Sequence, residues 1–93
     1  MAENRTPLFE SIEQLAIQSV MVEADDLPGL GSLLHYLEQV EKIGKEIGFS
    51  FLGPLLLAIR KAVEKLVLNE CPNPQEGINL IRTGVKILQH RVA

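Results

Sequence analysis

The chain has 93 residues and a formal net charge of -3, and 46% of its residues are hydrophobic. This length predicts one small domain with an aliphatic core, because the aromatic residues are only three Phe and one Tyr. The acidic balance argues against nucleic-acid binding, which usually requires a basic stripe. Cys71 is the only cysteine, which excludes an intrachain disulfide and fits a reducing cytoplasm. We also expect no secretory signal and no membrane span, because no long apolar run occurs.

Apolar spacing and capping residues predict two helices in the first half of the chain. The first covers about residues 7–23, with Thr6 as a candidate N-cap followed by a proline. The second covers about residues 27–47 and follows an aspartate pair at 25–26 that offers the next cap. Its apolar residues recur at steps of three and four, which is typical of a bundle seam. Gly48 then suits the left-handed residue that ends a helix.

Two further helices are predicted in the second half. The third covers about residues 51–68, with Pro54 in its first turn and an unusually wide apolar face. The fourth covers about residues 74–91, where Asn73 is a candidate N-cap and Glu76 the acid of a capping box. Short connections force successive helices to run antiparallel. The sequence therefore predicts an all-α, antiparallel up-down four-helix bundle that forms a single domain over residues 1–93.

One flank of the second helix carries most of the candidate site. At about 100° per residue, Gly31, His35, Glu38, Lys42 and Lys45 fall together beside the apolar stripe, partly in solvent. Four-residue spacing also predicts surface ion pairs on this helix, each worth a few tenths of a kcal/mol. These expected pairs are Glu38–Lys42, Glu41–Lys45 and Lys42–Glu46.

The segment LEQVEKIGKEIGF, residues 37–49, resembles the centre of a histidine-phosphotransfer (HPt) domain. That family's pattern is roughly H-x-x-K-G, with a Gly-Phe or Gly-Leu pair ten residues after the histidine. Gly48 and Phe49 stand where that pair belongs, and Glu38 stands where the histidine belongs. The order of LFESIEQL, GFSFLG and EGINLIRTGVKILQ along the chain is most similar to the N-terminal phosphotransfer domain of chemotaxis histidine kinases.

The resemblance implies an HPt-like bundle in two-component or chemotaxis-type phosphorelay signalling, in the cytoplasm. Three departures stand at its centre: Glu38 replaces the acceptor, Glu41 the basic residue, and Lys42 the glycine that lets a partner approach. We therefore expect a non-enzymatic docking or regulatory module that cannot accept phosphate and needs no cofactor. Its expected partner is a response-regulator receiver domain or the other domains of a histidine kinase, and the chain could be the N-terminal fragment of a longer signalling protein. The expected docking face comprises His35, Glu41, Lys42, Lys45, Gly48 and Phe49.

His35 is the alternative phosphate acceptor, one turn before Glu38. Its spacing disagrees with the family pattern, because Gly48 follows it by thirteen residues rather than ten. The simpler interpretation is a surface histidine paired with Glu38. A metal site is disfavoured because a bundle dimetal centre needs Glu-x-x-His on paired helices, and this chain has one His-x-x-Glu. Catalytic motifs are likewise missing from the sequence.

Basic and apolar residues of the third helix supply two further interpretations. Arg60, Lys61 and Lys65 could meet an acidic receiver domain, although a solvated face is the simpler reading. The alternative function is a structural or oligomerisation bundle with no phosphorelay role, in which excess apolar surface mediates self-association, for example as a homodimer. The residues expected to supply that surface are Phe51, Leu55, Leu56, Leu57, Ile59, Val63, Leu66 and Val67.

Overall fold

The computed structural model describes residues 6–92, and this part of the chain is helical, without strands. The all-α class is therefore confirmed. The helices are α1 (Thr6–Met21), α2 (Leu27–Glu46), α3 (Gly53–Val67) and α4 (Pro74–Val92). A short 3-10 turn, Ser50–Leu52, leads into α3. Each helix bound lies within two residues of the predicted one.

The helices pack as a closed ring of neighbours around an aliphatic core. α1 contacts α2, α2 contacts α3, α3 contacts α4, and α4 contacts α1, in a particle of 47 × 21 × 19 Å. The buried hydrophobic residues are Leu, Ile, Val and one Ala, as the composition predicted. No helix within residues 6–92 has the length and apolar character that a membrane crossing requires.

Helix starts follow the predicted caps with one exception. The Asp26 carboxylate accepts a hydrogen bond from the Gly29 N–H at 3.0 Å, and Asn73 Oδ1 accepts one from the Glu76 N–H at 3.4 Å. Thr6, predicted to be the N-cap of α1, is instead the first residue of that helix. This position suits Thr6 and the proline after it, because N–H groups of the first turn have no intrahelical acceptor.

Helices α2 and α3 both end in a residue with left-handed backbone. Gly48 has φ of +85°, and the following Phe49 N–H bonds to the Gly44 carbonyl at 2.6 Å. Asn69 has φ of 57°, and the following Glu70 N–H bonds to the Lys65 carbonyl at 2.8 Å. Both are Schellman motifs, which satisfy carbonyls that the helix itself leaves free.

Because Asn69 occupies a backbone region that favours glycine, Asn69→Gly should raise the free energy of unfolding by about 0.5 kcal/mol. Asn69→Ala should lower it by about 1 kcal/mol, since alanine has no local hydrogen bond to offset the left-handed strain. Urea unfolding measures both values. Asn79→Gly is the control: it lies inside α4 and should destabilise by about 0.3–0.5 kcal/mol, because glycine is the poorer helix former. If Asn69→Gly destabilises as Asn79→Gly does, the left-handed cap is not required.

A side chain of α4 holds the C-terminal end of α1. The Arg82 guanidinium donates hydrogen bonds to the carbonyls of Ser19 at 2.9 Å, Val20 at 3.2 Å and Val22 at 3.4 Å. The Ser19 and Val20 carbonyls belong to the last turn of α1, where no intrahelical donor remains, and Val22 directly follows the helix. The guanidinium thus links α4 to the end of α1.

Helices α3 and α4 approach each other through two glycines. A Cβ built on Gly84 would lie 2.7 Å from Cγ1 of Ile59, and one on Gly77 would lie 3.2 Å from Cδ2 of Leu66. Ile59 and Leu66 are buried on α3. The absence of side chains at these two positions on α4 therefore allows the α3 side chains to fill the space between the helices.

A candidate docking face on α2 and α3

Glu38 lies halfway along α2, and its partner is on the neighbouring helix. Its Oε1 atom is 2.8 Å from Nη2 of Arg60 on α3. The Glu38 side chain is 62% exposed, whereas that of Arg60 is 31% exposed. The carboxylate is thus presented to solvent, as the sequence predicted, but it is neutralised by a half-buried guanidinium.

This arrangement corrects the ion pairs predicted from spacing along α2. Within residues 6–92, Glu38 forms no ion pair with Lys42 or with His35. The reason is geometric: Arg60 reaches the carboxylate from the facing helix and adds a charge-assisted hydrogen bond. The predicted Glu41–Lys45 pair does form, with 4.0 Å between its charged atoms, whereas no Lys42–Glu46 pair forms in the described chain.

His35 lies on the exposed side of α2, next to Tyr36. The two ring centroids are 5.9 Å apart and the rings are tilted by 55°. In the described part of the chain no carboxylate lies within ion-pair distance of His35. A histidine that attacks phosphorus needs a partner that orients its ring, as nucleophiles do in general. The geometry around His35 supplies none among these residues.

The end of α2 forms the lower border of the face. Gly48 is exposed, and Phe49 is half-buried with its ring 5.3 Å from that of Phe51. Phe49 also packs on the core, whereas the Phe51 side chain is 55% exposed. The Gly-Phe pair therefore anchors the junction between α2 and the 3-10 turn rather than presenting a free ring to solvent.

Between α2 and α3 the surface is almost closed. The depression beside the Glu38–Arg60 pair has a volume of only about 20 Å³. Small-molecule sites usually measure about 300–1,000 Å³, so this depression is far smaller than a typical ligand pocket. Leu57, which is 49% exposed, borders it next to Glu41. The full lining is Leu37, Glu38, Glu41, Leu56, Leu57 and Arg60.

Of the predicted site residues, Glu38 and Glu41 line this depression, and Arg60 is the member of the predicted basic patch that joins them. Lys42 and Lys45 are exposed on α2, and Lys61 and Lys65 are exposed on α3. Arg60 differs from Lys61 and Lys65 because its side chain is only 31% exposed and is bonded to Glu38. No group of three or more His, Cys, Asp or Glu side chains within residues 6–92 is arranged to hold a metal ion.

Sequence reasoning missed Arg60 and Leu57 as members of this face, although a signal for both exists. Glu38 and Arg60 each lie eleven residues from Phe49, in the turn that joins the two helices. Residues equidistant from the turn of a helical hairpin tend to face each other. Glu41 and Leu57 are equidistant from the same residue, and they line the same depression.

Comparisons of the chain with protein-family models, with curated proteins and with solved structures gave no match. The resemblance to HPt domains therefore depends on the chain's own residues: the spacing from Glu38 to Gly48 and Phe49, and the order of the four helices.

Proposed function

We propose that this chain is an HPt-like docking or regulatory module of a two-component or chemotaxis-type phosphorelay, active in the cytoplasm and unable to accept phosphate. The proposal depends on which side chain stands at the acceptor position. An exposed side chain stands there on a rigid helix, but it is a carboxylate, and Arg60 already neutralises it. The module binds its partner without transferring a phosphoryl group.

An antiparallel up-down order of the four helices is part of this proposal. It is supported by how contacts progress along α3 and α4. Gly77 of α4 faces Leu66, and Gly84, seven residues later, faces Ile59, seven residues earlier on α3. The first turns of α1 and the last turn of α4 likewise line one groove, through Phe9 and Val92.

The chemistry of the acceptor position supports docking rather than transfer. A neutral imidazole nitrogen can attack phosphorus and later leave, whereas a carboxylate would have to form an acyl phosphate. Glu41 adds a second negative charge one turn away, on the side where the family has a basic residue. An incoming phosphoryl group would meet two carboxylates, and the cations nearest to them are already paired: Arg60 with Glu38 and Lys45 with Glu41.

The direct test of this chemistry uses a phosphodonor histidine kinase with radiolabelled ATP. We expect no acid-labile label on the unmodified chain. A Glu38→His variant should also take up none, because Glu41 and Lys42 still replace the basic residue and the glycine of the family pattern. The triple variant Glu38→His, Glu41→Lys, Lys42→Gly restores the family pattern and is expected to take up label. Label on the unmodified chain that disappears in His35→Gln would contradict the proposal.

The partner we propose is a receiver domain or another domain of a histidine kinase, bound across α2 and α3. Receiver active sites are rich in aspartates, and Lys42 and Lys45 are exposed on α2, about one and two turns after Glu38. Leu57 gives the face an apolar contact at its centre. An apolar centre with charged surroundings is the usual composition of a transient interface.

Docking is measured by titrating the labelled chain with receiver domains and following NMR shifts. We expect shifts confined to α2 and the facing side of α3. Leu57→Glu should raise the Kd at least about tenfold, a loss of about 1.4 kcal/mol. Leu80→Glu is the matched control, because Leu80 is 63% exposed on α4, and it should leave the Kd unchanged. Equal effects of the two variants, or shifts on α1 and α4, would contradict docking on this face.

A structural or oligomerisation bundle is the second candidate function. The bundle itself buries half of the eight residues predicted for its surface: Leu56, Ile59, Val63 and Leu66. What favours this candidate is apolar surface on a different helix. Four large apolar side chains of α1 are exposed.

A further inference from the structure

A groove between α1 and α4 lies outside the proposed docking face. It consists of two adjoining open depressions of about 520 and 500 Å³, and Glu13 and Gln89 line both. Phe9 lines the first depression, and Ile17, Val20 and Met21 line the second. The groove is therefore continuous along most of α1.

The apolar residues of this groove are unusually open to solvent. Val20 is 68% and Met21 69% exposed, and Phe9 and Ile17 are 42% and 46% exposed. No other helix of the described chain exposes as many large apolar side chains. Single exposed apolar residues are normal, but a contiguous set marks an interaction surface.

The charges of α1 and α4 identify what fits this surface. Helix α1 carries Glu10 and Glu13 and contains no Lys or Arg. Helix α4 carries Lys86 and Arg91 besides the cap Arg82, with Glu76 as its only acid. Lys86 is exposed on α4 about one turn before Gln89, which lines the groove. Within residues 6–92, neither Glu13 nor Lys86 forms an ion pair.

We propose that this groove is a self-association surface, on which a second copy of the chain packs with two-fold symmetry. In that dimer α1 of each copy lies against α4 of the other, so Glu13 faces the partner's Lys86, and the reverse pair forms as well. The alternative packing of α1 against α1 would bring Glu13 near the partner's Glu13, and like charges disfavour it. In the proposed dimer, the exposed apolar side chains of both α1 helices are buried at the interface.

The proposal goes beyond the docking function, because the dimer leaves α2 and α3 open to a partner. The docking proposal and the dimer proposal can therefore be contradicted independently. Loss of receiver binding with an intact dimer would contradict only the docking function, and a monomer that binds a receiver domain would contradict only the dimer.

Sedimentation equilibrium of the chain between about 1 and 500 µM tests the dimer. We expect the mass to rise from one chain to two, with no larger species. Val20→Glu should raise the dissociation constant at least about tenfold. The control Leu80→Glu, equally exposed on the other side of α4, should leave it unchanged, and circular dichroism verifies that both variants are folded. A monomer at every concentration, or equal effects of the two variants, would overturn the proposal.

A charge exchange tests the orientation of the two copies. Glu13→Lys and Lys86→Glu should each weaken the dimer several-fold, since each places like charges together. The double variant restores opposite charges at both contacts and should recover most of the affinity. If the double variant is no tighter than the single variants, α1 does not lie against the partner's α4 and the proposed arrangement is wrong.

Discussion

Replacing Arg82 with methionine should lower the free energy of unfolding by about 2 kcal/mol, the typical value for hydrogen bonds to a charged group. Three carbonyls at the end of α1 lose their donor, and Ser19, which carries one of them, is buried. Methionine preserves the apolar stem, so lost packing contributes little. Thermal unfolding should show a decrease in Tm of about 10 °C for a domain of this size.

Two other variants separate the hydrogen bonds from the charge. Arg82→Lys keeps the positive charge but lacks the planar fork that reaches several carbonyls, and should retain only part of the stability. Arg91→Met removes an exposed charge from the same helix and should change stability by no more than about 0.5 kcal/mol. If Arg82→Met is as mild as Arg91→Met, the bridge between α1 and α4 does not stabilise the fold.

Gly84→Ala is expected to destabilise the protein, although alanine favours helices. The new Cβ would lie 2.7 Å from Cγ1 and 3.2 Å from Cδ1 of Ile59, which is buried and cannot move freely. Overpacking of this kind costs about 1–3 kcal/mol, and the gain in helix propensity offsets up to about 1 kcal/mol of it. We expect a net loss of about 1 kcal/mol in urea unfolding.

The background variant Ile59→Ala makes this test decisive. It removes the side-chain atoms that Gly84→Ala would contact, at a cost of about 2–5 kcal/mol. In that background Gly84→Ala should become stabilising, a reversal of sign in the double-mutant cycle. Gly31→Ala serves as the control, because nothing lies within 4 Å of the added Cβ and it should stabilise by about 0.5–1 kcal/mol. Failure of the sign to reverse would show that the α3–α4 contact is not the cause.

The helices could be predicted from the sequence because their signals are local. Asp26 and Asn73 cap helices through groups only three residues away, and Gly48 ends one through its own backbone. Apolar residues recur at helical spacing, so the buried stripe of α2 could be read directly from the chain. Interactions of this range depend little on how the helices pack.

The partner of Glu38 could not be predicted by the same reasoning. Spacing along α2 favoured Lys42, four residues away, but a surface pair of that kind contributes only a few tenths of a kcal/mol. Arg60 offers a better-placed guanidinium, and its position depends on the register between α2 and α3. The exposure of Glu38 could be predicted from its position on α2 alone, whereas its ion-pair partner depends on how α2 and α3 pack together.

Long-range packing also determines the role of Arg82, because its carbonyl partners at the end of α1 lie 60 to 63 positions earlier in the sequence. The sequence predicted that the wide apolar face of α3 would exceed what the bundle buries. The coverage of α3 by α2 and α4 depends on tertiary packing and cannot be predicted from one helix. Leu56, Ile59, Val63 and Leu66 are buried, whereas Phe51, Leu57 and Val67 stay exposed. Helix α1 exposes four further large apolar side chains.

The closing contact of the ring joins the two helices that are farthest apart in sequence. During synthesis α4 leaves the ribosome after the other three helices, so α1, α2 and α3 must wait with one side of their shared core uncovered. Until Arg82 emerges, the last carbonyls of α1 are bonded to water rather than to protein. The nascent bundle is consequently open to aggregation and proteolysis until α4 appears, and α4 then covers the core and the end of α1 in a single step.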